Sequence, residues 1–105
     1  MAAFSQGDAT DEIRRIASRN DDFDLVLTRH AREQMAERGL STGDVLFILK
    51  HGFVLGDGVD STRPEYYKYP MESRTPNSGN RIVRIIVIPD AERGQIKVVT
   101  AMWAD

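Results

Sequence analysis

His30, Gln34 and Arg38 stand four residues apart in the stretch His30-Ala31-Arg32-Glu33-Gln34-Met35-Ala36-Glu37-Arg38-Gly39, which has the composition of a helix. At 3.6 residues per turn, each step of four drifts by only about 40°, so the three side chains share one ridge. Ala31 and Met35 form the adjoining apolar seam. An imidazole transfers protons near neutral pH, and a guanidinium holds a phosphate and the charge its transition state adds. The pair suits phosphodiester cleavage without a metal. A base takes the 2′-hydroxyl proton, an acid protonates the leaving oxygen, and cations stabilise the phosphorane. The same spacing also fits a structural pair, with His30 bonded to a backbone carbonyl and Arg38 complementing the end of the helix dipole. Spacing alone leaves both readings open.

Three further residues are candidates for substrate contact. Gln34 lies between the histidine and the arginine on the ridge. Arg84 interrupts the apolar run of residues 82–88. It could bind an anion in a cleft, snorkel to solvent, or pair with a carboxylate such as Glu72 across a sheet. Tyr67 alternates with Tyr69 onto one strand face, where rings could stack on bases or cover the side of a core with their hydroxyls wet. His51 follows Lys50 where a cation complements a helix C-terminus, and Trp103 has the area to anchor a last strand.

The bulk numbers narrow the setting. With 105 residues, 41% apolar and 29% charged, the chain fits a single folded domain and not a disordered segment. No apolar run approaches the roughly 20 residues of a membrane span. Residues 1–8 carry neither a basic flank nor an apolar segment, so no secretory signal is expected. There are no cysteines, and the two histidines have no recognisable ligand spacing, so neither a metal nor a cofactor is expected. A cytoplasmic protein with no membrane partner is the resulting expectation. The net charge of -2 does not mark a nucleic-acid binder, but it is unevenly spread. The first 24 residues sum to -3 and the rest to +1, with most of the later bases arginines, so a local phosphate-binding patch stays open.

The elements that must position these residues can be read along the chain. Asp8 or Thr10 caps a first helix running to about Asn20, with Ile13, Ile16 and Ala17 as a narrow stripe that places it on the surface of the fold. Asn20-Asp21-Asp22 breaks it, and residues 23–27 alternate as a short strand. Thr28 caps the second helix, and Gly39 supplies its left-handed end. Ser41 or Thr42 caps a third helix with Val45, Leu46, Ile48 and Leu49 inward, and Gly52 closes it as Gly39 closes the second. Strand patterns follow at residues 53–55, 66–71, 82–88 and 95–103, with Gly56-Asp57-Gly58 a turn, 74–80 a loop and 89–94 a hairpin connection. Pro70 places its strand at an edge or ends it. Residues 82–88 read as a central strand buried on both faces. Simple alternation sets Ile96, Val98, Thr100 and Met102 on one face of the last strand and Lys97, Val99, Ala101 and Trp103 on the other. The order gives an α+β fold, with helices packed on one antiparallel sheet of about four strands and an extra helix at the N-terminus.

Leu27-Thr28-Arg29-His30-Ala31, then Gln34-Met35, Arg38-Gly39-Leu40, a third helix and a terminal Val98-Val99-Thr100-Ala101-Met102, resemble a known pattern. It is that of short bacterial domains of unknown function that open with a His-Ala…Met…Arg-Gly helix. These are grouped with the RelE-like toxins among the barnase- and RelE-type ribonucleases. The resemblance spans residues 25–103. It implies a core over 23–105 with residues 1–22 as an N-terminal extension. It implies a metal-independent endoribonuclease with His30, Arg38 and Thr100 catalytic, acting on RNA and held by a cognate antitoxin protein. Gln34 stands where many such relatives carry arginine. That missing cation, together with the acidic balance, supports the alternative of a non-catalytic interaction module that forms a homodimer or binds a protein partner.

Overall fold

The computed structural model describes residues 4–19, 23–61, 66–79 and 81–104. The Asn20-Asp21-Asp22 break and the Asn80 end of the 74–80 loop lie outside them. Helix α1 (Gln6–Ala17) starts earlier than its sequence suggests, because Ser5 is the cap and its hydroxyl accepts from the Asp8 N–H at 3.2 Å. Thr10 sits inside the helix instead. Its hydroxyl donates to the Gln6 carbonyl and accepts the Val54 N–H at 2.9 Å, tying α1 to the sheet. Nor is α1 a surface accessory, since Ala9, Ile13, Ile16 and Ala17 are all buried in the main core.

Strand β1 (Asp24–Leu27) leads directly into helix α2 (Arg29–Arg38), which Gly39 ends in a left-handed conformation (φ 67°) as its sequence requires. Helix α3 (Thr42–His51) follows within three residues. Gly52 closes α3 for a different reason from Gly39. It is extended (φ -79°, ψ 179°), and what demands glycine is close approach: a Cβ there would lie 2.7 Å from the Ile48 carbonyl oxygen and 2.9 Å from that of Glu72. Arg14 of α1 donates to the same carbonyl end, reaching the His51 and Gly52 oxygens at 2.9 and 2.8 Å.

The sheet is larger than the four strands expected, and it is mixed. After β1 come β2 (Phe53–Val54), β3 (Val59–Asp60), β4 (Tyr67–Arg74), a 3₁₀ turn (Pro76–Ser78), β5 (Ile82–Asp90) and β6 (Gln95–Trp103). The order is β1-β6-β5-β4-β2, with β3 also on β4, and β1 runs parallel to β6 while the other pairs are antiparallel. Direction of pairing is a tertiary property that residue alternation does not encode. Pro70 neither ends β4 nor marks a whole edge. β2 pairs with Met71 and Glu72 and β3 with Tyr67 and Lys68, so Pro70 falls between these two short partners, where no ladder N–H is required.

The three helices of the described residues cover one face of this sheet. That core face takes Tyr69, Met71, Val83, Ile85, Val87, Ile96, Val98 and Ala101, all buried. The opposite side of β5 is not buried: Ile82, Arg84, Ile86 and Ile88 are only half-covered. β6 also departs from simple alternation. Ile86 pairs with Thr100 but Val87 with Val98, which leaves Val99 as an extra residue, a β-bulge. Past the bulge, Ala101 and Trp103 join the core side, and Thr100 and Met102 turn to the open face. No helix of the described residues is long and apolar enough to cross a membrane.

Asp44 pins the helices to the β4–β5 connection. It is buried, accepts from the Ser41 N–H at 2.8 Å in a capping box, and accepts the Thr75 hydroxyl on its other oxygen. Burial alone would raise its pKa, but the hydrogen bonds from the Ser41 backbone and the Thr75 and Ser41 hydroxyls outweigh that and hold it below 3.8. The unfolded chain therefore takes up this proton first, and the stability that Asp44 confers is lost as pH falls below that value. Asp44→Ala should lower the unfolding free energy by about 2 kcal/mol at pH 7. Denaturant titrations should show that the gap to wild type narrows below pH 3.8. A gap independent of pH would show that the carboxylate charge is not what is held.

Candidate functional site

The ridge carrying His30, Gln34 and Arg38 is mounted on the outer edge of β6. β1 occupies that edge along residues 95–98 and then leaves it. Thr28 makes the transition. Its N–H donates to the Val98 carbonyl at 3.1 Å, its hydroxyl donates to the Val99 carbonyl at 3.4 Å, and the same oxygen accepts the Ala31 N–H as the N-cap of α2. One turn on, the Gln34 side-chain oxygen accepts the Ala101 N–H at 3.0 Å. Helix α2 thus replaces β1 as the partner of the bulged half of β6. Ala31 and Met35 are buried beneath it, as the seam predicts.

This geometry gives Gln34 a structural task. Without it the Ala101 N–H would be an unpaired edge donor. An arginine at this position has only donors and could not accept that bond. Arg38 is half-buried. It lies 3.5 Å from the Gln34 carbonyl of its own helix and 3.5 Å from the Glu37 carboxylate. His30, about 40° further round the helix than Gln34 and away from the core seam, is exposed and bonds to no described residue. Thr100 immediately precedes Ala101 and points to the open face. The structure therefore joins the ridge to the β6 edge through Gln34, while the Thr100 side chain, one residue away, turns to the open face.

It separates the other two candidates. Arg84 is on the open face one strand away, in close ion-pair contact with Glu72 of β4. Of the roles open to it in the sequence, the cross-strand pair is the one observed. Tyr67 lies on the opposite, helix-covered face and packs against the core. Its neighbour Tyr69 is no wet surface ring. It is 2% exposed, its hydroxyl accepts the Phe4 N–H at 2.9 Å, and burial raises its pKa while that bond opposes the rise. His51 stacks near the Phe47 ring at 4.7 Å, and Arg81 sits 4.0 Å over the Trp103 ring. Among the described residues no three His, Cys, Asp or Glu side chains gather as a metal-ligand group.

Sequence reading missed the open face itself. Val26, Pro70, Ile82, Ile86, Ile88 and Met102 are half-exposed there, and none joins the core cluster. Phe53 and Leu55 extend the apolar surface at the β2 edge, 60% and 52% exposed. The only sequence signal was the apolar character of residues 82–88, which fits burial and exposure equally.

Gln34→Leu should expose the clamp. The Ala101 amide should lose hydrogen-exchange protection, and stability should fall by about 1 kcal/mol because the edge is only part-buried. Gln34→Glu, which keeps an acceptor, should retain the protection. Unchanged exchange at Ala101 in Gln34→Leu would show that the bond is not formed in solution.

No curated protein and no solved structure matches the chain. A family match does cover the elements just described. From the last residue of β1 to the last residue of β6, residues 27–103 match the family described as domain of unknown function (DUF4258), and the chain belongs to that family.

Proposed function

We propose that the protein is a non-catalytic interaction module that docks another polypeptide on the open face of its sheet. The observation that carries this reading is the row of half-exposed Ile82, Ile86 and Ile88 on β5, flanked by Pro70, Val26 and Met102 with no helix of the described residues over them. Apolar side chains gathered on one partly open face, broken here by the Arg84–Glu72 pair, support a contact site. Two of the arginines near it are engaged, Arg84 by Glu72 and Arg38 by Glu37, in a chain of net charge -2. The test compares adjacent residues of β5. Ile86→Ser should cost less than about 1 kcal/mol, while Ile85→Ser, in the core, should cost 3 kcal/mol or more. Equal losses would mean that the face is covered, and the docking reading would fall.

A second reading has its own observation. His30 is exposed, with no side-chain partner among the described residues, on the ridge whose Gln34 accepts the Ala101 N–H, one residue past Thr100. That supports a RelE-like, metal-independent endoribonuclease, the toxin partner of an antitoxin, with His30 as acid and base and Arg38 on the phosphate. Under this reading a structured RNA incubated in EDTA is cleaved by wild type, and His30→Ala slows cleavage at least about 100-fold. Cleavage by neither protein leaves the docking module. Equal cleavage by both removes His30 from the chemistry.

A further inference from the structure

We propose that the occupant of the open face is a second copy of this chain, stacked sheet against sheet about a two-fold axis that runs along the Pro70–Ile86–Thr100 row. The proposal rests on the docking reading and names its partner.

The strand register sets the open-face residues in three rows across the sheet. Pro70, Ile86 and Thr100 form the middle row, since Pro70 pairs with Ile86 and Ile86 with Thr100. Glu72, Arg84 and Met102 form the row on one side, again as direct partners. On the other side Ile88 pairs with Lys97, and Lys68, two residues before Pro70, completes a row with a cation at each end. Rows two residues apart lie about 6.6 Å from one another.

A two-fold axis along the middle row exchanges the two outer rows. Ile86 then meets its own counterpart, Lys68 of each copy faces Glu72 of the other, and Ile88 covers the aliphatic stem of Arg84. An axis along the strands would lay the cationic row over itself and set Lys68 against Lys97, a like-charge contact. The charge pattern therefore selects one isologous arrangement. The Arg84–Glu72 pair enters this contact already matched, so closure buries no lone charge there.

The strands of the face hold 4, 9, 9, 8 and 2 residues, which at about 3.3 Å per residue and about 4.8 Å between strands cover roughly 500 Å². That is below the about 800 Å² per partner of a standard stable interface and in the range of weaker, reversible contacts. Two such faces packed about 10 Å apart make an aligned β-sandwich, with the helices of both copies outside.

The chain has no cysteine, so a single one reports proximity cleanly. Ile86→Cys, on the axis, should be joined into a dimer by a short bis-maleimide cross-linker, while Glu33→Cys, exposed on α2, should not. Sedimentation of the wild type at micromolar concentration should give a dimer, and Lys68→Glu, folded by circular dichroism, should raise its dissociation constant at least tenfold. A wild type that stays monomeric throughout overturns the dimer. Carbene footprinting of that monomer separates the two ideas. Strong labelling of the Ile86 peptide would leave docking of an acidic segment or of RNA on the same face. Protection of that peptide would overturn the docking reading as well.

Discussion

The outer edge of β6 is the constraint on which the rest of the structure depends. A nine-residue strand with a free edge is a template for unwanted pairing, and every donor along it needs a partner. Here the edge is divided. β1 pairs with its first half in parallel, and α2 closes its second half through Thr28 and Gln34. The Val99 bulge sits at the division, and it decides which later side chains face the core. Because β1 and α2 are joined by Thr28 alone, strand pairing and helix placement are one event. The ridge of α2 has its position because β6 has a half-edge to cover.

The remaining helices are fastened by carbonyl and carboxylate contacts rather than by apolar packing alone. Arg14 gathers the carbonyl oxygens at the end of α3, Thr10 accepts the Val54 N–H of β2, and Asp44 links the start of α3 to Thr75. These bonds all lie on the helical side of the sheet. Each satisfies a buried group that would otherwise be costly, so the three helices are committed to a single face. The consequence appears on the other side, where alternating β5 leaves Ile82, Ile86 and Ile88 half-buried with no described helix over them.

A mixed sheet with helices on both faces would have hidden the isoleucines, and the ridge of α2 would have been the natural place to look for activity. With no described helix over the other face, Ile82, Ile86 and Ile88 stay half-buried beside the Arg84–Glu72 pair. His30 is the ridge side chain with no internal task. Gln34 and Arg38 are engaged within the fold.

Much of the local structure was legible in the sequence. Thr28 and Ser41 as caps, Gly39 as a left-handed stop, Ala31 and Met35 as a buried seam, and the span of β6 follow from the local chemistry of each residue. The apolar content of β5 and a pairing of Arg84 with Glu72 were also within reach. What the sequence could not decide were properties that need two distant segments at once. Only the tertiary structure sets β1 parallel to β6, inserts the bulge that moves Ala101 inward and Thr100 outward, and places Pro70 in the gap between β2 and β3. It also gives the Gln34 amide a partner in the Ala101 N–H, which comes into view only when α2 is set beside β6. The residues determined that the helix from His30 to Gly39 would form and which seam it would bury. The strand lying beside it determined what Gln34 bonds to, since a side chain's partner depends on which unsatisfied group the fold brings within about 3 Å.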